Sequence, residues 1–132
     1  GDLAGKIIID PTNHFATGED GLPEMAVATS NGEIIQAAAP DAFVVKAFNT
    51  LNWSTMVDPE SAGGPVSIPL VGDNADAKAA VATLVEGMGL EAIDVGPIRY
   101  ARHIEGMLIV WISARFRPAE SFEYHLRKLP SN

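Results

Sequence analysis

Apolar residues along the 132-residue chain fall into short dense runs separated by turn residues. Lys6-Ile7-Ile8-Ile9-Asp10 is β-branched at its centre and stopped at once by Pro11, the pattern of a strand buried on both faces of a parallel sheet. Residues 11–29, punctuated by Pro11, Gly18, Gly21 and Pro23, read as a long loop. Ser30 or Asn31 caps a helix through Ala39, with Glu33 in its first turn and Pro40 as its stop. Ala42 to Phe48 is the next strand, ended by Asn49-Thr50. Residues 49–65 show no sustained helical period, so the strand Val66 to Val71 is predicted antiparallel to its predecessor; a parallel crossover normally needs a helix. Pro69 inside that strand predicts a sheet edge or a bulge. Asp73 or Asn74 caps a helix over Ala75 to Glu86, which Gly87 and Gly89 end. Glu91 to Val95 is a short strand, closed by Gly96-Pro97. Arg99 to Phe116 is a final helix with Ile104, Leu108, Trp111 and Ile112 at helical spacing, broken by Pro118. The tail from Ser121 reads as a strand or an extended arm. The order is strand, helix, strand, strand, helix, strand, helix: an α/β fold.

Composition narrows the class. Hydrophobic residues make up 47% and charged residues 20%, the balance of a folded domain and not of a disordered tail. The net charge of −8 disfavours a nucleic-acid or anionic-membrane surface, which would need a basic footprint. With no cysteine, disulfides, thiolate metal sites and cysteine nucleophiles are excluded. The longest apolar stretch, Met107 to Ile112, is far too short to span a bilayer, and no charged-then-apolar leader opens the chain. These features predict a soluble, cytoplasmic protein, in which the sequon Asn52-Trp53-Ser54 is a chance match. Charge is unevenly spread: residues 1–98 hold 14 acids against 3 bases, and residues 99–132 hold 6 bases against 3 acids. Such a basic end either docks on the acidic body or meets an anionic ligand.

Ligands of open α/β sheets bind outside the carboxyl ends of the strands. Two such ends are polar here, Asp10-Pro11-Thr12-Asn13-His14 and Asn49-Thr50-Leu51-Asn52-Trp53. If their strands are parallel neighbours, Asn13, His14, Asn49 and Asn52 converge on one crevice. An Asn carboxamide both donates and accepts, which suits a carboxamide or a pyrimidine-like ring edge. The plainer role of such residues is to satisfy backbone groups in tight turns. His14 is a candidate acid–base or stacking group. His14, His103 and His125 share no metal-ligand spacing, so no metal site is expected. Glu105 is a second candidate acid–base, with a helical pair to Arg102 as its plainer role. The motifs G-x-S-x-G, H-E-x-x-H and G-x-x-x-x-G-K are absent, and Gly87-Met88-Gly89 follows a helix, so no dinucleotide phosphate loop is present.

Leu3-Ala4-Gly5-Lys6-Ile7-Ile8-Ile9-Asp10-Pro11-Thr12-Asn13 resembles a stretch of the NADP-dependent oxidoreductases that reduce a deazaflavin, coenzyme F420. Val44-Val45-Lys46-Ala47-Phe48-Asn49-Thr50, Val71-Gly72-Asp73, and Asp94-Val95-Gly96-Pro97 leading to Ala101-Arg102 and Glu105 are similar to the same family in the same order. The dinucleotide-binding domain of STEAP-type metalloreductases is similar over these blocks. The resemblance implies that residues 1–132 are the C-terminal portion of a Rossmann-like NAD(P)-binding domain: the second half of a doubly wound, mostly parallel sheet with one antiparallel strand. It also implies that about 70–90 residues with the glycine-rich loop precede Gly1.

The activity implied is hydride transfer between NADP(H) and F420 or a flavin-like acceptor. That chemistry needs positioning and exclusion of water more than an acid or base, so no catalytic side chain is assigned. Thr12, Asn13, His14, Asn49 and Thr50 are the cofactor-binding candidates. Asn52, Arg99 and Arg102 are the acceptor-binding candidates, the arginines facing an anionic group. A reading from a different class is a non-catalytic module that self-associates, as a homodimer, through the unpaired apolar edge Lys6–Asp10.

Overall fold

The computed structural model describes residues 2–117 and 120–131. In chain order the elements are β1 (Ile7–Asp10), β2 (Ala16–Thr17), β3 (Pro23–Glu24), α1 (Asn31–Ala38), β4 (Phe43–Lys46), α2 (Trp53–Val57), β5 (Ser67–Val71), α3 (Ala75–Gly87), β6 (Glu91–Gly96) and α4 (Ala101–Phe116). Short 3₁₀ turns at Pro59–Ala62 and Ile98–Tyr100 complete the list. The main sheet has the order β1-β4-β5-β6. β1 and β4 are parallel, β4 and β5 antiparallel, and β5 and β6 parallel. The fold is α/β, as the pattern of the chain predicts, and its mixed sheet is Rossmann-like, as the resemblance implies. Among the described residues no helix is long and apolar enough to cross a membrane.

Local chemistry explains the boundaries. Ser30 caps α1 by accepting from Glu33 N–H, while the Ser30 hydroxyl donates to the Glu33 carboxylate at 2.8 Å, so the acid at the third helical position meets the cap's hydroxyl and not its backbone N–H. The Gln36 amide then ties the end of α1 to β4, donating to the Ala39 and Ala42 carbonyls and accepting from Val44 N–H. Asn74 caps α3 by accepting from Ala77 N–H. Gly72 passes so close to β4 that a Cβ would stand 2.7 Å from the Val44 carbonyl oxygen, so no larger residue fits where the chain leaves β5.

Two departures from expectation have physical causes. The stretch 49–65 holds the five-residue helix α2 and a 3₁₀ turn, elements too short to show a period in sequence. Pro69, expected at an edge or a bulge, lies in an interior strand, and the irregularity expected of a bulge is what stands next to it. The Val66 carbonyl accepts from Glu91 N–H on the β6 side, so Ser67 N–H and, two residues on, the Pro69 nitrogen face the opposite flank. There β4 pairs only at Val71 and the tail only at Ser67, so the missing donor falls in the gap between them. A register shift lies beside it, between Leu70 and Val71. The tail is an extended arm joined to β5 by Ser67 N–H donating to the Leu126 carbonyl at 2.9 Å. Pro118, the expected end of α4, lies outside the described residues.

The side chains of each strand divide between two layers. Ile9, Val45, Ala47, Ile68 and Leu70 pack with Ala77, Val81 and Val85 of α3. Ile8, Val44 and Val71 pack with Ala101 and Ile104 of α4 and Ile35 of α1. Asp10 and Lys46 follow Ile8 and Val44 by two residues and share their face.

Candidate functional site

The parallel pair β1–β4 ends with Asp10 beside Lys46, both fully buried. The Asp10 carboxylate organises its own exit loop, where Oδ1 accepts from Thr12 N–H at 2.9 Å and from the Thr12 hydroxyl at 2.6 Å. Asp10 Oδ2 accepts from Lys46 Nζ at 3.0 Å, and Lys46 Nζ also donates to the Thr12 carbonyl. Glu105, buried on α4, stands 3.5 Å from Lys46 Nζ. The same Glu105 oxygen accepts from Asn31 N–H at 2.8 Å, where the start of α1 favours a negative charge. His14 Nδ1 accepts from Ala26 N–H at 3.2 Å, which places the imidazole proton on Nε2, 3.6 Å from Glu105. Glu105 therefore has its partners in Lys46, Asn31 and His14, and the expected helical pair with Arg102 does not form.

Beyond this cluster the two loops meet as anticipated. Asn13 Nδ2 donates to the Asn49 carbonyl at 2.8 Å, and Asn49 Nδ2 donates to Asn13 Oδ1 at 3.0 Å and to the Ile104 carbonyl at 3.2 Å. Both acceptors of Asn49 are oxygens, which fixes the orientation of its amide. Asn49 Oδ1 is left buried without a partner among the described residues. The chain enters Asn49 through Phe48 in the left-handed region (φ 67), a conformation that large residues rarely adopt.

Asn13, Asn49, Thr50 and Asn52 line one side of a cavity of about 130 Å³. Met107, Leu108 and Trp111 of α4 and Tyr124 of the arm line the other. Trp111 donates to Glu123 at 2.7 Å and is covered by the Arg115 guanidinium, 3.6 Å from its ring centre. Tyr124 donates to the Met107 carbonyl at 2.7 Å. Burial, with the Glu123 charge adding to it, pushes the Tyr124 phenol above its ordinary value and keeps it a donor.

The sequence candidates separate into three groups. Asn13, Asn49, Thr50 and Asn52 line the cavity, although Asn52 also caps α2 by accepting from Ser54 N–H. Thr12 and His14 lie behind the wall and brace it. Arg99 stacks on its neighbour Tyr100, and Arg102 forms a two-point pair with Glu33, away from the cavity. Burial raises the Glu33 carboxyl, but hydrogen bonds from Arg102 and Ser30 and the Arg102 charge outweigh it, leaving the group below its ordinary value. Lys46 escapes a reading by residue type. Its one sequence signal is a lysine set between apolar neighbours inside a strand. Among the described residues no His, Asp and Glu group has metal-binding geometry.

No family model matches the chain. It is 33% identical over 106 residues to metalloreductase STEAP3 of Rattus norvegicus and 32% identical over 106 residues to metalloreductase STEAP2 of Homo sapiens. A solved structure from Arthrobacter sp. FB24, described as a candidate F420-dependent NADP reductase, matches with a TM-score of 0.76 and 45% identity over 83% of this chain. The chain is a relative of these reductases. A hypothetical protein from Sinorhizobium meliloti shares the reductase-like fold, with a TM-score of 0.63 and 30% identity over 76% of this chain. The chain spans 20% of each curated reductase and about half of the two solved relatives, 51% and 49%.

Proposed function

We propose that the chain is the C-terminal half of the dinucleotide-binding domain of an oxidoreductase that moves a hydride between NADP(H) and a deazaflavin- or flavin-like acceptor. The similarity to the Arthrobacter structure, a candidate F420-dependent NADP reductase, supports the cofactor and the acceptor class. The observation that carries the reading is Asn49 Oδ1, a buried free acceptor on a residue of the cavity wall. A planar ring with a polar edge would complement the amides of that wall, with apolar groups and the Trp111 and Tyr124 rings opposite. A nicotinamide carboxamide and the ring edge of a flavin-like acceptor both meet this description. When bound, the nicotinamide supplies or accepts the hydride. The residues of this chain orient its ring and exclude water, which is what direct hydride transfer asks of a protein. Phosphate binding is assigned to a preceding glycine-rich half, since this chain holds no such loop.

Calorimetric titration of NADPH into the full-length protein and its Asn49→Ala variant tests the assignment. The variant is expected to bind about tenfold more weakly, equivalent to about 1.4 kcal/mol. Equal affinity would remove Asn49 from the site.

One observation favours a second reading, a module that self-associates. β1 is an edge strand of the sheet and Ile7 on it is 44% exposed. Unpaired apolar edges recruit a partner strand, here from a second copy. Sedimentation at micromolar concentration decides it: a stable monomer excludes the module.

A further inference from the structure

We infer that Lys46 is a positioning residue, retained to set the Asn13–Asn49 amide pair and not to stabilise the fold. Its ammonium is fully buried in a strand and donates to Asp10 at the end of β1 and to the Thr12 carbonyl next to Asn13, with the Glu105 carboxylate of α4 3.5 Å away as a third, ionic partner. The two pieces of chain that carry the amide pair are thus gripped at one atom. On the other side of the pair, Asn49 donates to Ile104, the residue before Glu105. Lys46 and Asn49 therefore hold the same turn of α4, two residues ahead of Met107 in the cavity lining.

Stability gives a poor account of the cluster. Two carboxylates and one ammonium bury an excess of negative charge, and Glu105 Oε2 has no partner among the described residues. Replacing such buried ions with neutral groups of similar size is often neutral or stabilising. Geometry gives a better one. The left-handed Phe48 lies between Lys46 and Asn49, and a strained residue persists only where its surroundings over-determine it. The anchor at Lys46 and the hydrogen bonds of Asn49 bracket that residue and hold it.

The inference rests on the cavity as the ligand site, and its test separates the two. In the full-length protein, Asp10→Asn, Lys46→Met and Glu105→Gln are combined, which removes the charges and keeps the volumes. The expected result is a melting temperature no lower than that of the parent, faster exchange of the Asn49 side-chain amide by NMR without ligand, and a KM for NADPH raised about tenfold to a hundredfold. Lys78→Met, at the Lys78–Asp94 pair outside the cluster, is the control: it also removes a lysine ion pair, and it leaves the amide exchange and the KM unchanged. Unchanged amide exchange and KM in the triple variant would overturn the inference. So would its unfolding, because the cluster would then be an element of stability. If the parent protein binds no NADPH, the proposed function fails, while the amide exchange still decides the role of Lys46.

Discussion

The two faces of the sheet are built from the same strands and solve different problems. Against α3, Val45, Ala47, Ile68 and Leu70 meet Val81 and Val85 in an apolar layer. Against α1 and α4, the same strands contribute Ile8, Val44 and Val71, but then Asp10 and Lys46, which face Glu105. The α3 face is held by apolar contact, which tolerates small shifts because it has no direction. The α4 face is held at its carboxyl end by directed bonds, which fix where loops leave the sheet. The polar end of one face and the cavity are neighbours for that reason.

Substitutions on either side sharpen the contrast. Lys46→Met alone strands two buried carboxylates and is expected to cost about 3–5 kcal/mol, read from the denaturation midpoint. It should weaken NADPH binding as well. Ile68→Ala opens a cavity on the α3 face and is expected to cost about 2–5 kcal/mol. Its affinity for NADPH, measured where the variant is fully folded, should match the parent; a loss as large as that of Lys46→Met would erase the distinction between the faces.

Arg102→Ala probes the rim of the α4 face, where the effect is smallest. The pair with Glu33 is partly exposed and screened, so the loss near neutral pH is expected to be the smallest of the three. Its pH dependence carries the sign. Glu33 is depressed below its ordinary value near 4.5 in the folded protein, so its contribution is complete above that value and fades as pH falls through the folded one. Melting curves from pH 7 to pH 3 should therefore converge for parent and variant on the acid side. Curves that stay parallel would show that Arg102 contributes nothing through Glu33.

How much of this was legible in the sequence depends on the range of each interaction. The four strands of the main sheet, α1, α3 and α4 announce themselves through local runs and caps such as Ser30 and Asn74, whereas β2 and β3, two residues each, are too short to stand out from the loop expected over residues 11–29. The convergence of Asn13 and Asn49 followed from two polar strand ends and one assumption, that β1 and β4 are parallel neighbours. Glu105 was visible as an ionisable residue, but its partners were not. Arg102 lies three residues away on the same helix, and the choice of Glu33 over Glu105 depends on how α1 packs beside α4. Asp10 and Lys46 were hidden because a charge at a strand end looks solvated until the neighbouring strand and helix cover it.

Pro69 bears on which part of the molecule opens most easily. Its ring interrupts the flank of β5 between Val71, which β4 takes, and Ser67, which only the arm reaches. The arm is joined there by the Leu126 carbonyl and by Lys128 N–H donating to the Ser67 hydroxyl, contacts between residues far apart in sequence. The arm meets β5 through one bridge and not a full ladder, so it is the part of the sheet's margin expected to open locally with least cost. Tyr124, and with it one wall of the cavity, is therefore the part of the pocket expected to open first. The sheet and its amide pair can stand complete while the pocket lies open to water.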